Sequence, residues 1–227
     1  MKKHEGYTLV EMVVSIAVGL VIIAVIYAAV NMGQRSTVNV ERKVAAHQDA
    51  RAALELMSLE IQMASFNPTY APNIWVAPGN CTPGSGNQSY RGIQAATDSS
   101  ITVESDINEN GVIGNPNEVI TYAYDSTNKY ITRLTGCSGG SNQPFLGAMP
   151  GDPRAVRVIN ADINPAVPVF RYFDAQGIEI TTAAGIPNIA RIDITVWVET
   201  ENIDPNSGLR RKMVYSTSVI PRNHVIK

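Results

Sequence analysis

Between Met12 and Gln34 the chain carries no charged residue, and Val, Ile, Leu and Ala fill most positions. A helix needs about 20 mostly apolar residues to cross the hydrocarbon core of a bilayer. This run is long enough. It is rich in β-branched residues, but lipid offers the backbone no partner other than itself, and that favours the helix. One acid stands at its edge. Glu11 immediately precedes the run, four residues after Tyr7. A carboxylate at mid-bilayer costs roughly 2.5–3.5 kcal/mol, and less near an interface. Such a group calls for a cationic partner.

The preceding residues suggest one. Met1-Lys2-Lys3-His4-Glu5-Gly6 is short, polar and basic. Cleavage after Gly6 would make Tyr7 the first residue. Its α-ammonium would then lie about one helical turn from Glu11, on the same face. The pair could form within one chain or between neighbouring chains. A pair between chains would set the axial register of helices packed side by side.

Gly6-Tyr7-Thr8-Leu9-Val10-Glu11 resembles the prepilin signature of type IV pilins and type II secretion pseudopilins. The resemblance implies that a prepilin peptidase cuts between Gly6 and Tyr7. It also implies N-methylation of Tyr7 and makes Glu11 the assembly carboxylate. Tyr7 stands where the family usually has Phe. Major pilins often carry a helix-kinking proline halfway along the apolar segment; this chain has Ala28 and Ala29 there. That favours a minor pilin or pseudopilin. Two blander readings compete. A secretory signal peptide has 7–15 apolar residues and no acid at the start of its core. A plain membrane anchor would carry Gly6 and Glu11 by chance.

The formal net charge is −2, and Lys and Arg are dispersed, so nucleic acid is not an expected partner. Lys2 and Lys3 place the N-terminal end in the cytoplasm by the positive-inside rule. The remainder then faces an oxidising compartment, where a disulfide persists. Cys81 and Cys137 are the two cysteines. A bridge between them is favoured over two free thiols or a metal pair, since no C-x-x-C spacing is present. In the chain-entropy model it would contribute roughly 3–4 kcal/mol.

The expected organisation is a leader over 1–6, a transmembrane and assembly helix over 7–34, an amphipathic continuation over 35–66, and a β-rich periplasmic domain over 67–227. Val40, Val44, His47, Leu54, Met57, Ile61 and Ala64 define one helix face, with Ala50 or Arg51 bridging the wider step. Asn67-Pro68 should end the helix. Asn67 to Ser100 reads as a long connection pinned by Cys81. From there the period becomes two. Strands are expected at 101–103, 118–125, 129–135, 156–159, 167–173, 178–181, 189–199 and 212–220. Gly136 to Pro153 and Asn202 to Gly208 read as loop and turn. The fold class is α+β, a long helix on an antiparallel sheet, as the pilin resemblance also implies.

Asp106-Ile107-Asn108-Glu109-Asn110-Gly111 is the one metal candidate. Asp106, Asn108 and Asn110 alternate as at the start of a calcium loop, with Val112 offering a carbonyl and Glu118 a later carboxylate. Position 12 of such a loop is Asn117, so Glu118 comes one residue late. The competing account is ordinary turn chemistry. No catalytic constellation is present: no H-E-x-x-H, G-x-S-x-G or phosphate loop. The acidic turn, Phe170 to Gly177, and the last two strands are similar to minor pilins of the PilW type and J-type minor pseudopilins. That resemblance implies other minor pilins, the major pilin, the prepilin peptidase and an inner-membrane assembly platform as partners. An adhesin or a membrane-anchored enzyme are the readings from other classes.

Overall fold

The computed structural model describes residues 6–137, 143–147, 156–200, 203–204 and 207–224. Most of the expected leader, much of the loop from 136 to 153 and part of the turn from 202 to 208 lie outside them. One helix, α1, runs from Leu9 to Gln62. The chain divides into two compact units, Met1–Lys43 and Val44–Lys227.

In the first unit, α1 exposes its apolar side chains; Leu9, Ile16, Leu20, Ile23 and Met32 are all more than half accessible. Among the described residues, α1 is the one helix long and apolar enough to cross a membrane. Its few polar side chains bond back onto the helix. Ser15 Oγ donates to the Glu11 carbonyl at 2.7 Å, and Asn31 Nδ2 to the Tyr27 carbonyl at 3.1 Å. Back-bonding of this kind pairs these two donors without help from outside the helix.

The second unit holds the core. There α1 buries Ala46, Ala50, Ala53, Leu54, Met57 and Ile61, with Ala64 just beyond its end. The expected face was correct from Leu54 onward. Val40, Val44 and His47 are exposed instead. The buried stripe uses alanines there, because a small side chain lets the helix backbone approach the layer beneath. The helix stops at Gln62, earlier than Asn67-Pro68 suggested. Met63 N–H and Ala64 N–H donate to the Glu60 and Ile61 carbonyls, tightening the last turn. Ser65 then takes a left-handed backbone, φ 67°.

Two antiparallel sheets pack with the helix, where the sequence suggested one. The first contains β1 (Ile93–Ala96), β2 (Ser100–Glu104), β3 (Val119–Asp125), β4 (Tyr130–Thr135) and β5 (Gln143–Leu146), in that order. The second contains β6 (Val156–Val158), β7 (Phe170–Phe173), β8 (Glu179–Ile180), β9 (Arg191–Thr200) and β10 (Lys212–Val219). Both sheets and the helix share one core cluster that includes Ile101, Tyr122, Ile131, Phe170, Ile194 and Val196. β1 and β5 were not expected. The Ala-Ala end of β1 is weak strand material, and Pro144 in β5 disguises a strand that lies at the sheet edge, where proline is tolerated.

β9 is the spine of the second sheet. β10 pairs along one of its edges, Lys212 opposite Glu199 through Val219 opposite Ile192. Its other edge is shared. β6 pairs with Val198 to Thr200, and β7 pairs with Arg191 to Ile194. The gap between those two strands is filled by one buried side chain. Asn160 Oδ1 accepts from Trp197 N–H at 2.8 Å, and Nδ2 donates to the Thr195 carbonyl at 2.8 Å and the Val167 carbonyl at 3.2 Å. A side-chain amide thus stands in for the missing strand residue.

Polar clamps hold the layers together. Arg133 Nη2 meets Glu60 Oε1 at 2.6 Å and Nε meets Oε2 at 3.1 Å, while Tyr122 Oη donates to the same carboxylate. His47 Nδ1 and Tyr215 Oη lie 2.8 Å apart. Tyr172 Oη donates to the Thr97 and Ser100 carbonyls, joining the second sheet to the β1–β2 turn. Near the C-terminus, His224 is buried. Its Nε2 faces the Ile186 carbonyl at 2.8 Å and its Nδ1 faces Ser65 Oγ at 2.7 Å. A carbonyl only accepts, so Nε2 carries the proton and Nδ1 accepts from Ser65. Burial lowers the His224 pKa.

Replacing Asn160 with Ala leaves the Trp197 N–H and Thr195 carbonyl unpaired in the interior. The variant should lose about 2–3 kcal/mol of stability, read as a lower urea midpoint with an unchanged m-value.

Candidate functional site

The start of α1 is built by a reciprocal pair of hydrogen bonds. Thr8 sits at the cap position, and Leu9, Val10 and Glu11 are the first three helical residues. Glu11 Oε2 accepts from Thr8 N–H at 2.8 Å and from Thr8 Oγ1 at 2.9 Å. Glu11 N–H in turn donates to Thr8 Oγ1 at 3.3 Å. This is a capping box, which satisfies two orphan donors of the first turn. The carboxylate also lies where the helix dipole favours negative charge. Gly6 and Tyr7 are exposed, precede the helix, and have no helical backbone. The bond between them is therefore accessible to a peptidase, and the carboxylate of Glu11 is turned back toward that end of the chain. Thr8-x-x-Glu11 is legible in the sequence as a capping box. Sequence reasoning missed it by treating Glu11 only as a charge in need of a cation.

Residues 1–27 match the family model described as the prokaryotic N-terminal methylation motif. The stretch is a prepilin-type methylation motif. The match covers Gly6, Tyr7 and Glu11 together with the first part of the apolar helix. No curated protein matches the chain. Among solved structures, a type IV-like pilin from Thermus thermophilus aligns over 78% of this chain and 97% of its own, at 9% identity and TM-score 0.43.

The other singled-out residues lie in the second unit. Cys81 and Cys137 form a disulfide, with Cα atoms 5.1 Å apart. It borders a small satellite core of Ile74, Trp75, Val76, Ile113 and Val119. Trp75 is 8% exposed, so it anchors this core. The long connection is thereby pinned at Cys81, as expected.

The Asp106 turn brings its oxygens onto its own backbone. Asp106 accepts from Asn110 N–H at 3.1 Å and Gly111 N–H at 2.9 Å. Asn108 Oδ1 accepts from Asn110 N–H, and Asn110 Oδ1 from Val112 N–H. Glu118 Oε2 accepts from Gly114 and Asn115 N–H, while its buried Oε1 has no partner among the described residues. The bonds of Asn108 and Asn110 are those of Asx turns. Among the described residues no group of three or more His, Cys, Asp or Glu is gathered for a metal ion. The expected calcium donors Asp106, Asn108, Asn110, Val112 and Glu118 lie in this one segment, where the side-chain oxygens of Asp106, Asn108, Asn110 and Glu118 accept backbone N–H groups and keep further lone pairs.

A second buried acid was not foreseen. Glu104 closes β2 with Oε2 accepting from Val76 N–H at 3.0 Å and Oε1 without a partner among the described residues. Burial pushes its pKa up to about 8, against the Val76 bond, which lowers it. The folded state therefore keeps a proton between pH 4.5 and 8 that the unfolded chain has lost. The stabilisation is complete below pH 4.5 and disappears as pH rises through 8. Glu104→Gln should remove this slope. It should match the parent near pH 4 and exceed it by about 2–4 kcal/mol at pH 8, measured by urea unfolding across pH.

Proposed function

We propose that the chain is a minor pilin of a type IV pilus, a structural subunit that primes or joins a filament after prepilin peptidase cleavage. The observation that carries this reading is the Thr8–Glu11 cap directly behind the exposed Gly6–Tyr7 bond, inside a methylation motif. Cleavage frees the α-ammonium of Tyr7, which a methyl group keeps basic. Glu11 is held facing that end of the helix. A neighbouring chain can then exchange partners, its ammonium meeting this Glu11 in a low-dielectric layer where the attraction is strong. Each subunit waits in the inner membrane as a single span, N-terminus cytoplasmic and β-rich part periplasmic. Its partners are other minor pilins, the major pilin and the inner-membrane assembly platform. A minor pseudopilin of type II secretion is built on the same physics and is the near alternative. The reading is structural rather than enzymatic.

Two substitutions separate charge from capping. Glu11→Gln keeps an oxygen for Thr8 N–H and removes the charge; Glu11→Ala removes both. Both variants should insert into membranes normally and enter filaments at least tenfold less than the parent. Normal incorporation of Glu11→Gln would reduce Glu11 to a helix cap. Mass spectrometry of the isolated protein should find methylated Tyr7 as the first residue.

A further inference from the structure

β10 lies at the outside of its sheet, and its eight residues are paired on one side alone. The register fixes which backbone groups face outward. Thr200 N–H donates to the Arg211 carbonyl, opposite which it lies, so odd-numbered residues of β10 turn their bonds toward β9. On the far side of β9, Thr195 N–H donates to Val169, which confirms the same alternation. Val214, Ser216 and Ser218 therefore aim their N–H and C=O groups away from the sheet. None of those N–H groups has a backbone partner among the described residues.

Natural edges are usually protected by shortness, lysine, proline or a bulge. The other edges here are short: β1 and β5 have four residues each, β5 includes Pro144, and β8 has two. β10 has none of these defences from Met213 to Val219. Its register is continuous, and Lys212 stands only at one end. Beside its middle runs a groove of about 370 Å³, walled by Tyr215, Ser216 and Thr217 and floored by Arg51, Leu54, Glu55 and Ser58 of α1.

We propose that this edge receives one extended strand from a different chain, by β-augmentation. The proposal rests on the filament reading above. A row of outward N–H and C=O groups is satisfied by a strand and not by a helix. The groove is also too small for a helix, whose diameter with side chains is about 10–12 Å. Its floor selects among strands. Residues of α1 already fill the layer beneath the edge, so the incoming strand must have no helix under it. That excludes a second copy presenting its own β10, which carries the same helical flank. Arg51, Glu55 and Ser58 on the floor suit small or polar residues facing inward, and half-exposed Val214 suits an apolar neighbour facing outward.

The test uses the full-length protein in its native membrane, with a photo-crosslinking amino acid at position 218. Ser216→Pro removes one outward N–H and leaves the β9 pairing intact, since proline is accepted where the N–H faces away from the sheet. Ser216→Thr is the control. Val214→Lys with Ser216→Lys is a second route that charges the edge without touching the backbone. The expected result is a crosslink to a different polypeptide, mapped by mass spectrometry to one extended segment. It should fall at least tenfold in the proline and double-lysine variants and persist in Ser216→Thr. A crosslink to a second copy alone, or one indifferent to both variants, overturns the proposal. The state of the N-terminus is read in the same sample. Methylated Tyr7 with no strand at β10 sinks this inference alone, whereas an uncut N-terminus sinks the filament reading.

Discussion

The β-rich part depends on how closely one helix can approach two sheets. Ala46, Ala50 and Ala53 bring the backbone of α1 near the layer beneath, and Leu54, Met57 and Ile61 fill the space where the sheets meet it. Removing the helix would expose the inner faces of both sheets at once, so neither sheet is an independent element. The charged clamp of Glu60 with Arg133 and Tyr122 then fixes where along the helix the first sheet sits. The bond between His47 and Tyr215 does the same for the second. Apolar contact supplies the drive, and these polar contacts choose the register.

The apolar half of α1 follows a different rule. Leu9, Ile16, Leu20, Ile23 and Met32 are exposed, and the side chains of Ser15 and Asn31 bond to the helix itself. Its only acid is committed to Thr8 at the first turn. A segment so arranged suits hydrocarbon, where each unpaired polar group is costly. The same cap has a second effect: it fixes where the helix begins, and hence how far Glu11 lies from the Gly6–Tyr7 bond.

Strong periodicity was legible. The uncharged run, the strands at Val119–Asp125, Arg191–Thr200 and Lys212–Val219, and the Cys81–Cys137 pairing all read correctly from residue type and spacing. Weak or disguised signals were not. β1 ends in two alanines, and β5 holds a proline, so tertiary pairing rather than local preference makes them strands. The division into two sheets was hidden because no local pattern says which strands pair. Asn160 shows the difficulty best: its role depends on the end of β6 and the start of β7 meeting along β9, a juxtaposition no short window contains. At the N-terminus the methylation motif that holds Gly6, Tyr7 and Glu11 was legible, whereas the capping role of Thr8 was in plain view and overlooked. The Asp106 turn has the spacing of a cation loop, and its oxygens also accept backbone N–H groups, a pairing that spacing alone does not reveal.

The disulfide has a mechanical consequence. Cys81 and Cys137 are 56 residues apart in sequence, and the ring they close contains β1 to β4. Tension applied at the two ends of the chain bypasses everything inside the ring. At about 3.4 Å per residue, roughly 190 Å of contour stays locked even after the surrounding structure has given way. The chain pulled along its length would therefore yield in a shortened step, and most of the first sheet's strands would remain tethered at their base.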